Sequence, residues 1–103
     1  MAIGSIMPFG PTGTVSVAAV ATGSVNTSLA GGGDSVVVTN TTASLAYVRF
    51  GADPGVTVTT ADMPVLPNSK VMLSVNALIG YGAVILASGS GTVLLTRGNG
   101  SYL

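Results

Sequence analysis

The sequence predicts an all-β fold: an antiparallel β-sandwich of jelly-roll or Greek-key type, with an extended N-terminal arm. Three observations carry that expectation. Val, Ile and Thr together supply 31 of the 103 residues, and their branched Cβ atoms pack well on a pleated strand and poorly in a helix. These residues fall in short runs separated by Gly, Ser, Asn and Asp at roughly the 8–12-residue spacing of a sandwich. No segment keeps a 3.6-residue apolar period. The best helical stretch, residues 72–86, holds Gly80 and Gly82 among many β-branched residues.

Residues 1–13 read as the arm. Pro8, Gly10, Pro11 and Gly13 prevent a helix, while Ile3, Ile6, Met7 and Phe9 make the segment apolar. Residues 14–103 read as one domain. Along residues 14–19, Val15, Val17 and Ala19 alternate with Thr14, Ser16 and Ala18. Residues 24–29 follow a turn at Thr22-Gly23. Gly31-Gly32-Gly33-Asp34 then breaks the pattern. Residues 35–40 contain three consecutive valines, the mark of a strand covered on both faces.

Residues 45–51 place Ala46, Val48 and Phe50 on one face, with Tyr47 and Arg49 on the other. Asp53-Pro54-Gly55 suits a type II turn, Pro setting φ at the first corner and Gly tolerating positive φ at the second. Residues 56–60 are a short strand. Residues 63–66, hemmed by Pro64 and Pro67, form another, which must lie at an edge because Pro donates no ladder hydrogen bond. Pro67-Asn68-Ser69 turns into residues 71–75, where Val71, Leu73 and Val75 share a face. Residues 83–87 and 92–96 flank Ser88-Gly89-Ser90-Gly91 as a hairpin. The count is about eight or nine strands. The expected core is Val48, Phe50, Leu73, Val84, Leu86, Val93 and Leu95.

Composition excludes most chemistry. His, Cys, Trp, Glu and Gln are absent, so no Ser-His-Asp triad, thiol nucleophile or zinc site can be assembled. Asp34, Asp53 and Asp62 are spaced unlike any calcium loop and read as turn residues. Gly31-Gly32-Gly33 lacks the Lys and helix of a phosphate loop. The expectation is a protein with no enzymatic activity, no catalytic residue, no cofactor and no metal. Arg49, Lys70 and Arg97, offset by three Asp, make no cationic surface for nucleic acid. Residues 71–96 are uncharged and long enough to span a bilayer, but Ser, Asn and Gly break them into strand-length bursts, so no membrane span is expected. Residues 15–21 resemble a signal core, yet no Lys or Arg precedes them.

Only 6% of the residues are charged, against about 25% in an ordinary soluble domain. A neutral surface of small side chains desolvates cheaply and loses little side-chain entropy in a contact. That suits a permanent member of an assembly, with homo-oligomerisation expected. The partner-contact candidates are Met7, Pro8 and Phe9 in the arm, where Phe offers area and Pro lowers the ordering cost. Tyr47 and Arg49 join them, two residue types enriched at interface anchors.

Three stretches carry a resemblance. They are Tyr47-Val48-Arg49-Phe50-Gly51, then Val56-Thr57-Val58-Thr59-Thr60-Ala61-Asp62-Met63-Pro64-Val65, then Gly91-Thr92-Val93-Leu94-Leu95-Thr96-Arg97-Gly98-Asn99-Gly100. Over residues 36–100 the chain resembles a group of small tailed-phage virion proteins, differing at Asn99, where members carry an acidic residue. The resemblance implies a sandwich or jelly-roll accessory protein of the phage particle. It implies capsid decoration or cement, on the virion surface, bridging neighbouring copies of the major capsid protein. No catalytic residue carries over. Two other readings remain open. One is a tail, head-fibre or adhesion module; the other is a stand-alone carbohydrate-binding sandwich, for which exposed aromatics are few.

Overall fold

The computed structural model describes residues 10–75 and 78–99. Eight strands follow in order: β1 Gly10–Val20, β2 Val25–Ser28, β3 Ser35–Asn40, β4 Ala46–Gly51, β5 Met63–Val65, β6 Ser69–Ser74, β7 Tyr81–Leu86 and β8 Ser90–Asn99. They form two antiparallel four-stranded sheets, ordered β1-β8-β3-β6 and β2-β7-β4-β5. The pairs are nested, with β1 on β8, β2 on β7, β3 on β6 and β4 on β5. Every connection except β4 to β5 crosses from one sheet to the other. Among the described residues no helix is long and apolar enough to cross a membrane.

The period-two patterns build the core as expected. Val17 and Ala19 of β1, Val36 and Val38 of β3, Ala46 and Val48 of β4, Val84 and Leu86 of β7, and Val93 and Leu95 of β8 meet between the sheets. On the reverse side of β1, Thr14, Ser16 and Ala18 are exposed. β3 is covered on both faces, Val37 included. β5, with Pro64 at its centre, is an edge strand.

Five expectations need correction. Residues 56–60 are not a strand. They belong to the β4–β5 connection, which is held by side chains rather than by a ladder. Asn26 Nδ2 donates to Pro54 O at 2.6 Å and to Val56 O at 3.3 Å, and Val58 N donates to Ser24 Oγ at 3.1 Å. The register puts Asn26, Ala83 and Arg49 side by side on the outer face of the second sheet. Val58 and Ala83 are both buried yet lie outside the main core cluster. The connection therefore lies against that face, and the Val-x-Val pattern that reads as a strand serves as a cover.

Residues 88–91 do not make a hairpin, because β7 and β8 lie in different sheets. Ala21 N donates to Gly89 O and Ala87 N to Leu45 O, so each side of that turn bonds to its own sheet. The 53–56 turn closes through Val56 N to Asp53 O at 3.1 Å, but Gly55 does not take positive φ. It is not type II, and Asp at its first position suits type I. The left-handed corner falls instead at Asn68, φ 53°, behind Pro67. β1 begins at Gly10, paired with Asn99, inside the segment read as an arm.

The fifth correction concerns Phe50 and Leu73, which are half-buried rather than enclosed. β5 pairs only with Ala46, Tyr47 and Val48. Past Val48 no described strand flanks β4 on that side, so Phe50 and Leu73 of β6 pack against the core yet keep part of their surface in solvent.

Candidate functional site

Of the expected contact residues, Arg49 sits at the open edge and Tyr47 just before it on the same strand. On β4, Tyr47 and Arg49 point away from the core, as alternation requires. Tyr47 is half-buried, level with Pro64 on one side and Ile85 on the other. Arg49 is level with Ala83, and its side chain is 60% exposed.

Asp62 approaches Arg49 from the far end of the β4–β5 connection. A local turn holds it: Asp62 N donates to Thr59 O at 3.0 Å, and Asp62 Oδ2 accepts from Thr59 N at 2.8 Å. Its Oδ1 lies 3.5 Å from Arg49 Nη1. At that distance and exposure the pair contributes at most about 1 kcal/mol. Its effect is to bias an otherwise free guanidinium toward one side.

Beside this pair runs an open cleft of about 500 Å³. Phe50 from β4, Met63 from β5, and Leu73, Val75 and Ile79 from β6 and beyond supply its apolar lining. Arg49 and Asp62 are its charged groups. A second groove of about 430 Å³ also borders Arg49, lined by Gly51, Asp53, Gly55 and Val56. Arg49 thus borders both grooves. The arrangement offers apolar area with one cation, Arg49, and a carboxylate in each groove, Asp62 in the first and Asp53 in the second. Such a surface can hold an apolar group and pair with charge at its rim.

The other expected site residues, Met7, Pro8 and Phe9, lie outside the described residues. Asp34, Asp53 and Asp62 are not brought together. Asp34 accepts from Ser35 Oγ at 3.2 Å, and among the described residues no three acidic or metal-ligating side chains cluster.

Two buried polar side chains are absent from the sequence expectations. Arg97 is 2% exposed, and its Nε and Nη2 donate to Gly33 O at 3.0 and 2.7 Å while Nη1 donates to Ile79 O. One guanidinium thereby ties the β2–β3 and β6–β7 connections to β8. Asn40 is 1% exposed; its Nδ2 donates to Ser44 O, Val65 O and Leu66 O, and its Oδ1 accepts from Thr42 N and Thr42 Oγ1. A signal for both was present. Arg97 shares the parity of Val93 and Leu95, and Asn40 that of Val36 and Val38, so alternation alone directs both inward.

No protein-family model, no curated protein and no solved structure matches this chain.

Proposed function

We propose that this chain is a non-enzymatic structural protein of a phage particle, a capsid decoration or cement protein that binds and stabilises the shell of major capsid protein. The observation that carries the reading is the outer face of the β1-β8-β3-β6 sheet. The register places Thr14, Ser16, Thr92, Thr96 and Met72 on that face, and Lys70 is the one ionisable residue among its described positions. Such a face desolvates at little cost against a protein neighbour. It would be a poor surface for a protein that must stay free in solution. The motif resemblance over residues 36–100 supports the same reading. The nested pairing supports describing the sandwich as a jelly roll.

In this reading Tyr47, Arg49 and the arm residues Met7, Pro8 and Phe9 are contact elements, and the virion surface is where the protein resides. The test compares occupancy on purified particles with the melting temperature of the isolated chain. Deletion of residues 2–9 spares the β1 ladder, which starts at Gly10. Arg49→Glu replaces an exposed cation with an anion beside Asp62. Arg49→Glu is expected to melt near the unaltered protein, since an exposed pair of this kind contributes at most about 1 kcal/mol, and the deletion removes no described strand residue. Both are expected to occupy the particle less. Full occupancy by both would remove these residues from the contact.

A further inference from the structure

The four edge strands of the sandwich are unequally protected. β5 has three residues with Pro64 in the middle, β2 has four residues, and β6 carries Lys70. Short length, proline and lysine are the usual devices that keep a sheet edge from pairing with another chain. β1 is eleven residues long and holds no charged residue, and no proline after Pro11. Its start is tied down by a register shift between Pro11 and Gly13. Thr12 Oγ1 also donates to Gly32 O at 2.6 Å and accepts from Gly32 N at 3.0 Å. From Thr14 to Val20 no described strand is hydrogen-bonded to the edge that faces away from β8.

The hydrogen-bond phase of that edge follows from the register. Ala21 N donates to Gly89 O at 3.0 Å, and the pairing runs unbroken back to Thr14. In an antiparallel ladder the bonded pairs alternate, so Val15, Val17 and Ala19 exchange bonds with β8. The amides and carbonyls of Thr14, Ser16, Ala18 and Val20 therefore point at the open edge. The side chains at 14, 16 and 18 are small, uncharged and exposed.

We infer that this stretch pairs antiparallel with the same stretch of a second copy, joining the two β1-β8-β3-β6 sheets into one continuous sheet. A strand paired antiparallel with itself is two-fold symmetric, as an isologous dimer requires. With the axis at Val17, residue 14 meets 20 and residue 16 meets 18, so all four open-edge amides find carbonyls. Self-pairing sets each side chain against one from the same strand, and the absence of charge removes the like-charge penalty. The inference deepens the self-association expected of this chain and is independent of its binding to a shell.

Sedimentation of the isolated full chain over a concentration series tests it, with hydrogen exchange as a second readout. The unaltered protein is expected to be a dimer that dissociates on dilution, with the amides of Thr14, Ser16, Ala18 and Val20 protected at high concentration. Ser16→Pro deletes an amide aimed at the open edge and no bond to β8. Ser16→Lys puts two ammonium groups near the two-fold axis and serves where the proline variant fails to fold. Either is expected to weaken dimerisation by about ten-fold or more and to expose the remaining open-edge amides. Thr92→Lys, on the same face but on β8, is expected to leave dimerisation unchanged. An unaltered protein that stays monomeric throughout would overturn the inference. So would a dimer indifferent to both Ser16 variants, or an oligomer in which these amides exchange fast. Each of those results leaves particle binding to be judged by occupancy.

Discussion

Arg97→Ala is expected to lower the free energy of unfolding by about 3–5 kcal/mol, the largest loss from any single polar truncation in this chain. The guanidinium faces inward at the end of β8 and serves two carbonyls, Gly33 O and Ile79 O. Each hydrogen bond from a charged donor contributes about 1.5–3 kcal/mol, and truncation also leaves the space of a long side chain unfilled. The site admits little adjustment. Gly33 has φ 132°, and a Cβ there would stand 2.2 Å from Gly98 O, so the β2–β3 connection is pressed against β8 with no room for a side chain. Arg97→Lys is expected to recover only part of the loss, because one ammonium on a flexible stem cannot reproduce a fork that serves two acceptors. Urea unfolding of the three proteins measures this, provided the slopes agree. Equal midpoints for Arg97→Ala and the unaltered protein would show that water replaces the guanidinium without penalty.

Leu95→Ala is expected to cost about 2–5 kcal/mol by opening a cavity between the sheets. Leu95 is 1% exposed, and its Cδ1 lies 3.1 Å from where a Cβ on Gly82 would be. Gly82 thus creates a recess in β7, filled by Phe50 from the adjacent strand and Leu95 from the opposite sheet. The neighbouring Leu94 faces outward, level with Ser16 and Thr39. Leu94→Ala is expected to cost less than about 1 kcal/mol. A one-residue slip would exchange the two outcomes, so thermal unfolding of this pair measures the register of β8 directly.

Alternation made the inner face of nearly every strand legible in the sequence. Val17 and Ala19, Ala46 and Val48, and Val93 and Leu95 lie where period two puts them. Pro64 correctly placed its strand at an edge. What was not legible depends on partners distant in the chain. Residues 88–91 look like a hairpin loop locally, but β8 pairs with β1 and β3 while β7 pairs with β2 and β4. The 56–60 segment has a strand's composition, yet Asn26 and Ser24 hold it over a sheet face.

The candidate site divides in the same way. Tyr47 and Arg49 were readable as the polar face of one strand. The cleft beside them was not, because it needs the short β5 and the separate β6 to leave a gap. Arg97 and Asn40 have inward parity, but their polarity argues against burial until the carbonyls that satisfy them are known.

The copy number of this chain in purified particles tests the structural-virion reading most directly. Quantitative mass spectrometry against the major capsid protein provides it. The account predicts many copies per particle, in a fixed small-integer ratio to the shell subunit, because a cement protein repeats with the lattice it bridges. A few copies per particle would place the chain in the tail or a fibre. Its absence from particles would contradict the account.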